Sequence, residues 1–198
     1  MDVIEAMETC IAMRYLKSDP IPEADLQRLI YAATRASSPG NSQGWEFIVL
    51  TDSNIKKVIG EAVASGMAPV FENLPDDIDP VSDRMYKGAI HLAENFSNVP
   101  AWIIGAARKI YPPHEPSIEF MHSTIYPAAQ NLIVAARSMG IGSTFTTFQM
   151  VAEDAIRSEL SVPEDVHLCF CAAVGYPERS FGPVRRKPLE EVTHWNKW

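Results

Sequence analysis

The stretch from Ala36 to Leu50, Ala-Ser-Ser-Pro-Gly-Asn-Ser-Gln-Gly-Trp-Glu-Phe-Ile-Val-Leu, constrains this chain more than any other. It joins the end of an amphipathic helix to a strand that begins at Trp45. Pro39 fixes φ, Gly40 and Gly44 permit positive φ, and Ser37, Ser38, Asn41, Ser42 and Gln43 bring short polar side chains into one bend. Such a bend gathers hydroxyls and backbone N–H groups, the donors an anion needs. Taken alone it also reads as an ordinary polar loop, so the rest of the chain has to decide.

Upstream, Val3, Ile4, Met7 and Ile11 mark a short amphipathic helix running to about Met13, with Asp2 as its cap and Glu5 in the capping-box position. Arg14 and Tyr15 follow, then an extended Lys-Ser-Asp-Pro-Ile-Pro link whose prolines restrict the backbone. Pro22 suits the first turn of a helix carrying Leu26, Leu29, Ile30 and Ala33 on one face. Beyond the strand Trp45–Leu50, Asp52 or Ser53 caps a helix expected to end near Gly66. Residues 66–83 lose periodicity and turn proline-rich and acidic, which predicts a long surface excursion bordering a pocket.

A helix from Ser82 or Asp83, an apolar strand from Val99 to Ala107, a second excursion over 108–116 and a long helix from about Ser123 to Met139 come next. Gly140 and Gly142 are expected to stop that helix and lead through Ser-Thr-Phe-Thr-Thr into a shorter one ending near Leu160. Val166 to Val174 is the clearest later strand, stopped by Gly175-Tyr176-Pro177. The tail, 185–198, carries Arg185-Arg186-Lys187-Pro188 and then Trp195 and Trp198, two large aromatics that burial against another surface would explain. No repeat or linker divides the chain, so 1–198 reads as a single domain.

Composition narrows the function classes. The chain has 198 residues, 46% hydrophobic and 21% charged, enough for one substantial core. Its formal net charge of −8 argues against broad binding to nucleic acid or to anionic membranes, and no apolar run is long enough to span a bilayer. Nothing near Met1 resembles a signal peptide, and three cysteines, an odd number, suggest free thiols in a reducing compartment; a cytoplasmic protein is expected. His91, His114, His122, His167 and His194 show no metal-ligand spacing, and Cys169 and Cys171 read as core packing. Gly140-Ile141-Gly142 is a fragment of a dinucleotide fingerprint that follows a helix rather than a strand. No nucleophile elbow or phosphate-binding P-loop is present.

Several separated stretches, in order, resemble the FMN-dependent nitroreductase family over essentially the whole chain. They are Arg14 with the Asp-Pro-Ile-Pro link, Ser37 to Phe47, Tyr126-Pro127-Ala128-Ala129-Gln130-Asn131-Leu132, Gly140-Ile141-Gly142-Ser143, Val174-Gly175-Tyr176-Pro177 and Arg186-Lys187-Pro188-Leu189-Glu190-Glu191-Val192. The resemblance implies an α+β fold, a mixed central sheet enclosed by helices, in an intertwined homodimer whose 185–198 tail wraps the partner and whose two flavin sites lie at the interface. It implies a ping-pong cycle in which NADH or NADPH reduces FMN at N5 and the flavin then passes electrons to a nitroaromatic, quinone or similar small-molecule acceptor. The cofactor carries that chemistry, so no dedicated catalytic residue or metal is expected.

Residue by residue, the resemblance assigns Ser38 and Arg186, with Arg185 as a second cation, to the flavin phosphate. Arg14 matches the basic residue that reaches the ribityl chain or pyrimidine edge, and Pro39, Asn41 and Gln43 match the lining of the ring and ribityl group. Gly142, Thr146 and Thr147 match backbone contacts at the flavin edge. One departure stands out: the family places Arg-Arg-Ser or Arg-His-Ser before the residue matched by Arg14, and this chain has Cys10-Ile11-Ala12. Either phosphate is held more weakly or the C-terminal arginines make up the loss. The alternative to an enzyme is a flavin-binding or regulatory dimer on the same fold with little turnover.

Overall fold

The computed structural model describes residues 1–75 and 77–198. Its described residues form one α+β unit with four strands: β1 (Trp45–Leu50), β2 (Ala101–Arg108), β3 (Gly142–Thr146) and β4 (Val166–Gly175). They lie in the order β1-β2-β4-β3, and all three pairings are antiparallel. Within the described chain the sheet is therefore antiparallel rather than mixed. The two central strands are buried on both faces and read accordingly as near-continuous apolar runs, Ala-Trp-Ile-Ile-Gly-Ala-Ala in β2 and Cys-Phe-Cys-Ala-Ala-Val in β4.

Alternation along β2 sorts the core into two layers. Ile103 faces α2 (Glu23–Ala33) and α5 (Ile118–Ser138), where Leu26, Leu29, Ile125 and Leu132 are fully or almost fully buried. Trp102 and Ile104 face α3 (Ser53–Glu72), α4 (Pro80–Glu94) and α6 (Glu153–Leu160), packing with Ile59, Val63, Leu92, Phe96 and Ile156. Trp102 stacks on Phe96 at 4.1 Å and donates its indole N–H to the Phe96 carbonyl at 2.9 Å, so the largest core side chain leaves no polar atom stranded. A bulge between Gly105 and Ala106 marks where β2 meets the Phe170 ring. A Cβ at Gly105 would lie 2.0 Å from that ring, so this position cannot carry a side chain without moving it.

Four expectations are corrected. The first helix, α1 (Val3–Thr9), is capped by Asp2, which accepts from the Ile4 N–H at 2.9 Å, but it stops at Thr9 instead of continuing to Met13. Residues 10–16 straighten because they belong to the sheet edge: Met13 N–H donates to the Ser143 carbonyl at 2.9 Å. The expected 66–83 excursion is mostly a helical hairpin. α3, capped by Asp52, runs through Gly66 and Pro69 to Glu72, and α4 begins at Pro80 behind the Asp79 cap. Gly66 is a packing residue there, since a Cβ would come 2.7 Å from Val151. Asp76, within that stretch, lies outside the described residues.

α5 starts five residues before Ser123, from the Ser117 cap, and continues through Pro127. The stretch from Gly142 to Thr146, expected as a linker between helices, is the edge strand β3. The second excursion is a loop, although Arg108 itself closes β2. The 185–198 tail contains one short 3₁₀ turn, Leu189–Glu191, and its tryptophans stay exposed, Trp195 at 84% and Trp198 at 101%, with only the His194 ring stacked on Trp198 among the described residues.

Candidate functional site

The edge strand β3 organises the site. Thr144 and Ser143 tie residue 13 to the edge, through the Met13 N–H to Ser143 bond and the Thr144 hydroxyl donating to the Met13 carbonyl. Beyond it, Leu16 bridges Pro177 in antiparallel fashion, with Lys17 N–H donating to the Tyr176 carbonyl at 2.8 Å and Glu178 N–H to the Tyr15 carbonyl at 3.1 Å. Arg14 is thereby held between β3 and α4. A Cβ on Gly88 of α4 would stand 2.7 Å from Arg14 Cδ, so the absence of a side chain there is what lets the arginine pass beneath the helix.

Arg14 opens onto a chamber of about 260 Å³. Met67, Phe71, Met85 and Tyr86 of the α3–α4 hairpin form its apolar ceiling, and Thr146 and Thr147 at the end of β3 form part of its floor. Burial is the largest influence on the Arg14 guanidinium and lowers its proton affinity; the Arg179 charge lowers it further, and Tyr15 acts in the opposite sense. Among the described residues Arg14 has no carboxylate within ion-pair distance. A half-buried cation with no anionic partner is an expensive arrangement unless something from outside the chain supplies the charge.

The polar bend lies elsewhere in the protomer. Pro39–Asn41 forms a single 3₁₀ turn, with positive φ at Gly40 (58°), Asn41 (51°) and Gln43 (51°). Ser38 Oγ accepts from the Gln43 N–H at 3.0 Å, and the Gln43 side chain donates to the Asn41 carbonyl at 3.4 Å. The loop is thus closed on itself and packed over Tyr111, whose ring a Cβ at Gly40 would meet at 2.2 Å. It feeds β1, the edge strand opposite β3. Three strand spacings separate those edges, about 14 Å.

The ten residues singled out from the sequence therefore fall into groups. Arg14, Thr146 and Thr147 line one chamber. Gly142 is near them in the chain but buried beneath Met13 and Leu16, each 3.0 Å from where its Cβ would be, so its place is in packing. Arg185 and Arg186 are exposed in the tail, just beyond a hydrogen bond from Val184 N–H to the Glu8 carbonyl at 2.7 Å. That bond lays the tail's base alongside the end of α1, next to the Cys10-Ile11-Ala12 segment that lacks cations. Ser38, Pro39, Asn41 and Gln43 stay with the bend on the β1 edge, and one chain alone does not bring them to Arg14.

Two features escaped sequence reasoning. Half of the apolar ceiling, Met67 and Phe71, was hidden in the stretch read as an excursion, while Met85 and Tyr86 lie on the helix expected after it. The segment after β4 is brought alongside residues 15–17 by the Leu16–Pro177 bridge, near enough for the Arg179 charge to act on Arg14, which no motif announces. A second cavity, about 890 Å³, is at the β1 edge between Ile21, Leu26, Phe47, Val49 and the buried Lys56. Its buried cation is already satisfied by the Val99 and Pro100 carbonyls at 2.7 and 3.3 Å, whereas Arg14, in the smaller chamber, has no carboxylate partner among the described residues.

An NADH dehydrogenase from Thermus thermophilus is 26% identical over 195 residues, covering 93% of this chain and 91% of its own length. The fold is shared with an oxidised iodotyrosine deiodinase solved with FMN and 3-iodo-L-tyrosine, at a TM-score of 0.80 and 18% identity over the full length of both chains. It is shared as well with an FMN and NADPH-dependent nitroreductase from Sphigopyxis sp. strain HMH, at a TM-score of 0.75 and 20% identity, again over both full chains. The Nitroreductase family model matches residues 9–176, from the end of α1 through the exit of β4, and with the fold and the β3-edge chamber in place the chain belongs to that family.

Proposed function

We propose that this protein is an FMN-dependent oxidoreductase that takes electrons from NADH or NADPH and passes them to flat, electron-poor acceptors such as nitroaromatics or quinones. The observation that carries the reading is Arg14, half-buried, without a carboxylate partner among the described residues, at the mouth of a chamber with an apolar ceiling. A flavin bound at this position would supply the redox chemistry. The chain's residues have the complementary task. Arg14 would face the edge of the ring that becomes negative on reduction, the Thr146-Thr147 backbone would border it, and Phe71, Met85 and Tyr86 would form an apolar cover that excludes water and accepts a flat acceptor by stacking.

The donor set fits FMN when two copies are considered together. The bend of Ser38, Pro39, Asn41 and Gln43 occupies the sheet edge opposite Arg14, so a site that uses both takes one group from each chain of a homodimer, giving two sites. Arg185 and Arg186, on a tail tied down at Glu8, are the cations available to the phosphate in place of the residues missing at 10–12. The exposed Trp195 and Trp198 would be covered by the second copy. The three free thiols suit a reducing compartment, and we place the protein in the cytoplasm.

The purified protein should be yellow, release FMN on denaturation and bleach when NADH or NADPH is added without oxygen. Colourless protein that also fails to take up added FMN overturns the proposal. The absence of cations at 10–12 favours one second reading, a flavin-binding dimer with little turnover. Retained FMN without pyridine-nucleotide oxidation across a broad acceptor panel would select it.

A further inference from the structure

Cys169 is the one residue of β4 with no partner on either neighbouring strand. Across the bulge β2 pairs with Leu168 and then with Phe170, and β3 ends opposite Cys171. A carbonyl left at that point would be stranded in the core. A side chain satisfies it instead: Gln149 Nε2 donates to the Cys169 carbonyl at 2.9 Å. Gln149 is itself only 5% exposed, and its Oε1 is a buried acceptor without a hydrogen-bond partner among the described residues. One bond is gained and one acceptor is stranded, so the two effects on stability roughly cancel. Stability alone therefore gives no reason for a glutamine here.

What the bond does hold is the floor of the Arg14 chamber. After Thr146 the chain leaves the sheet and passes through Thr147 into the 3₁₀ turn Phe148–Met150. Thr146, Thr147 and Phe148 all line the chamber. This short segment is tied to β4 at both ends, by Thr146 Oγ1 donating to the Cys171 carbonyl at 2.9 Å and by Gln149 reaching the Cys169 carbonyl. We infer that Gln149 is a positioning residue for the flavin site, setting the Thr146–Thr147 backbone by continuing the pairing of β4 past the end of β3. The inference rests on the FMN reading above and extends it to a buried residue that acts through its neighbours.

The test compares wild type, Gln149→Met and Gln149→Glu. Methionine is close to glutamine in length but cannot donate to Cys169. Without flavin, Gln149→Met should melt within about 3 °C of wild type, because no net stabilisation is removed. Hydrogen exchange in the peptide covering 145–150 should quicken, and affinity for FMN and for riboflavin, read by fluorescence quenching, should fall alike by about tenfold, since the phosphate is not the group affected. Gln149→Glu is the rescue. Burial keeps its carboxyl protonated at pH 6, so its O–H donates in place of the amide and affinity at that pH should stay near wild type. Unchanged exchange or wild-type affinity in Gln149→Met overturns the assignment, as does a Gln149→Glu chain that binds no better than Gln149→Met at pH 6. A loss of affinity matched by a lower flavin-free melting temperature overturns it too, because the residue would then serve the fold alone. Wild-type protein that takes up no flavin overturns the functional reading instead, a result distinct from the exchange measurement, which is made without flavin.

Discussion

Gly88→Ala separates what the α3–α4 hairpin does for stability from what it does for the site. Gly88 is on the buried face of α4, and alanine in a helix interior is favoured over glycine by about 1 kcal/mol. The new Cβ, however, would stand 2.7 Å from Arg14 Cδ, with Arg14 Cβ at 3.5 Å and Cγ at 3.6 Å. Cδ must retreat by about 0.7 Å to regain ordinary van der Waals contact. A long side chain can do this by leaving its rotamer minimum, at about 0.5–1.5 kcal/mol. The two effects nearly cancel, so the melting temperature should stay within about 3 °C of wild type. Flavin affinity should not survive equally well, because a displacement approaching 1 Å at a binding group is costly, and a loss of about tenfold is expected.

Gly66→Ala is the control. It too sits in a helix, but its Cβ would come 2.7 Å from both the Val151 Cβ and the Val151 carbonyl oxygen, and a backbone oxygen cannot swing aside. Overpacking of about 1–3 kcal/mol should lower its melting temperature, by about 2–4 °C for each kcal/mol, without a selective effect on flavin. Thermal melts of the flavin-free proteins and FMN titrations by fluorescence quenching give both numbers. Gly88→Ala protein that binds FMN as wild type does, or that melts as low as Gly66→Ala, refutes the claim that this glycine exists to seat Arg14.

Three further substitutions test the core. Gly105→Ala drives a methyl into the Phe170 ring at 2.0 Å and should destabilise by about 3 kcal/mol or more in urea unfolding, with Phe170→Leu in the same chain restoring part of the loss. Trp102→Phe leaves the Phe96 carbonyl without its indole donor and opens a gap beside the stacked ring, so about 2–4 kcal/mol should be lost; a loss under 1 kcal/mol would contradict the described packing. Burial pushes the Cys169 thiol up to about 11 and Cys171 to about 12, from an ordinary value of 9.0. The folded chain therefore keeps protons that the unfolded chain releases, and this stabilisation, complete below pH 9, is lost as pH rises through 11 and 12. Between pH 9 and 10.5 each thiol should steepen the decline by about 1.4 kcal/mol per pH unit, and Cys171→Ala should remove its share; urea midpoints that differ from wild type by a constant amount across this range would refute it.

What could be read along the chain, and what could not, divides on a physical line. Local chemistry was legible. Asp2 caps the helix it was expected to cap, Asp52 is the one of the two expected residues, Asp52 or Ser53, that caps α3, and β1 begins and ends at Trp45 and Leu50. The glycine of the Ser-Pro-Gly-Asn bend does take positive φ. Misreadings arose where a residue's local preference and its distant partner disagree. Gly66 signals a helix end to any local rule, but its lack of a side chain serves Val151, in the turn that precedes α6. Gly-Ser-Thr-Phe-Thr is too short and polar to announce a strand, and it becomes one because β4 and residue 13 supply hydrogen-bond partners on both sides.

The site divides in the same way. Arg14 and the Ser38 bend carry their signal in sequence order, whereas the apolar ceiling over Arg14 acquires meaning only when α3 and α4 come together above the end of β3. Strand order explains why the candidate residues form two groups in one chain. The bend and Arg14 belong to opposite edges of a sheet whose strand order is fixed by two largely buried central strands, and no loop movement within a chain exchanges those edges. If both groups hold one ligand, they must do so across two chains. A mixed dimer of Arg14→Gln and Ser38→Ala chains should then contain one site carrying both defects and one carrying neither. Half the flavin should be retained at wild-type affinity; uniform weakening of both sites would show that each chain builds its site alone.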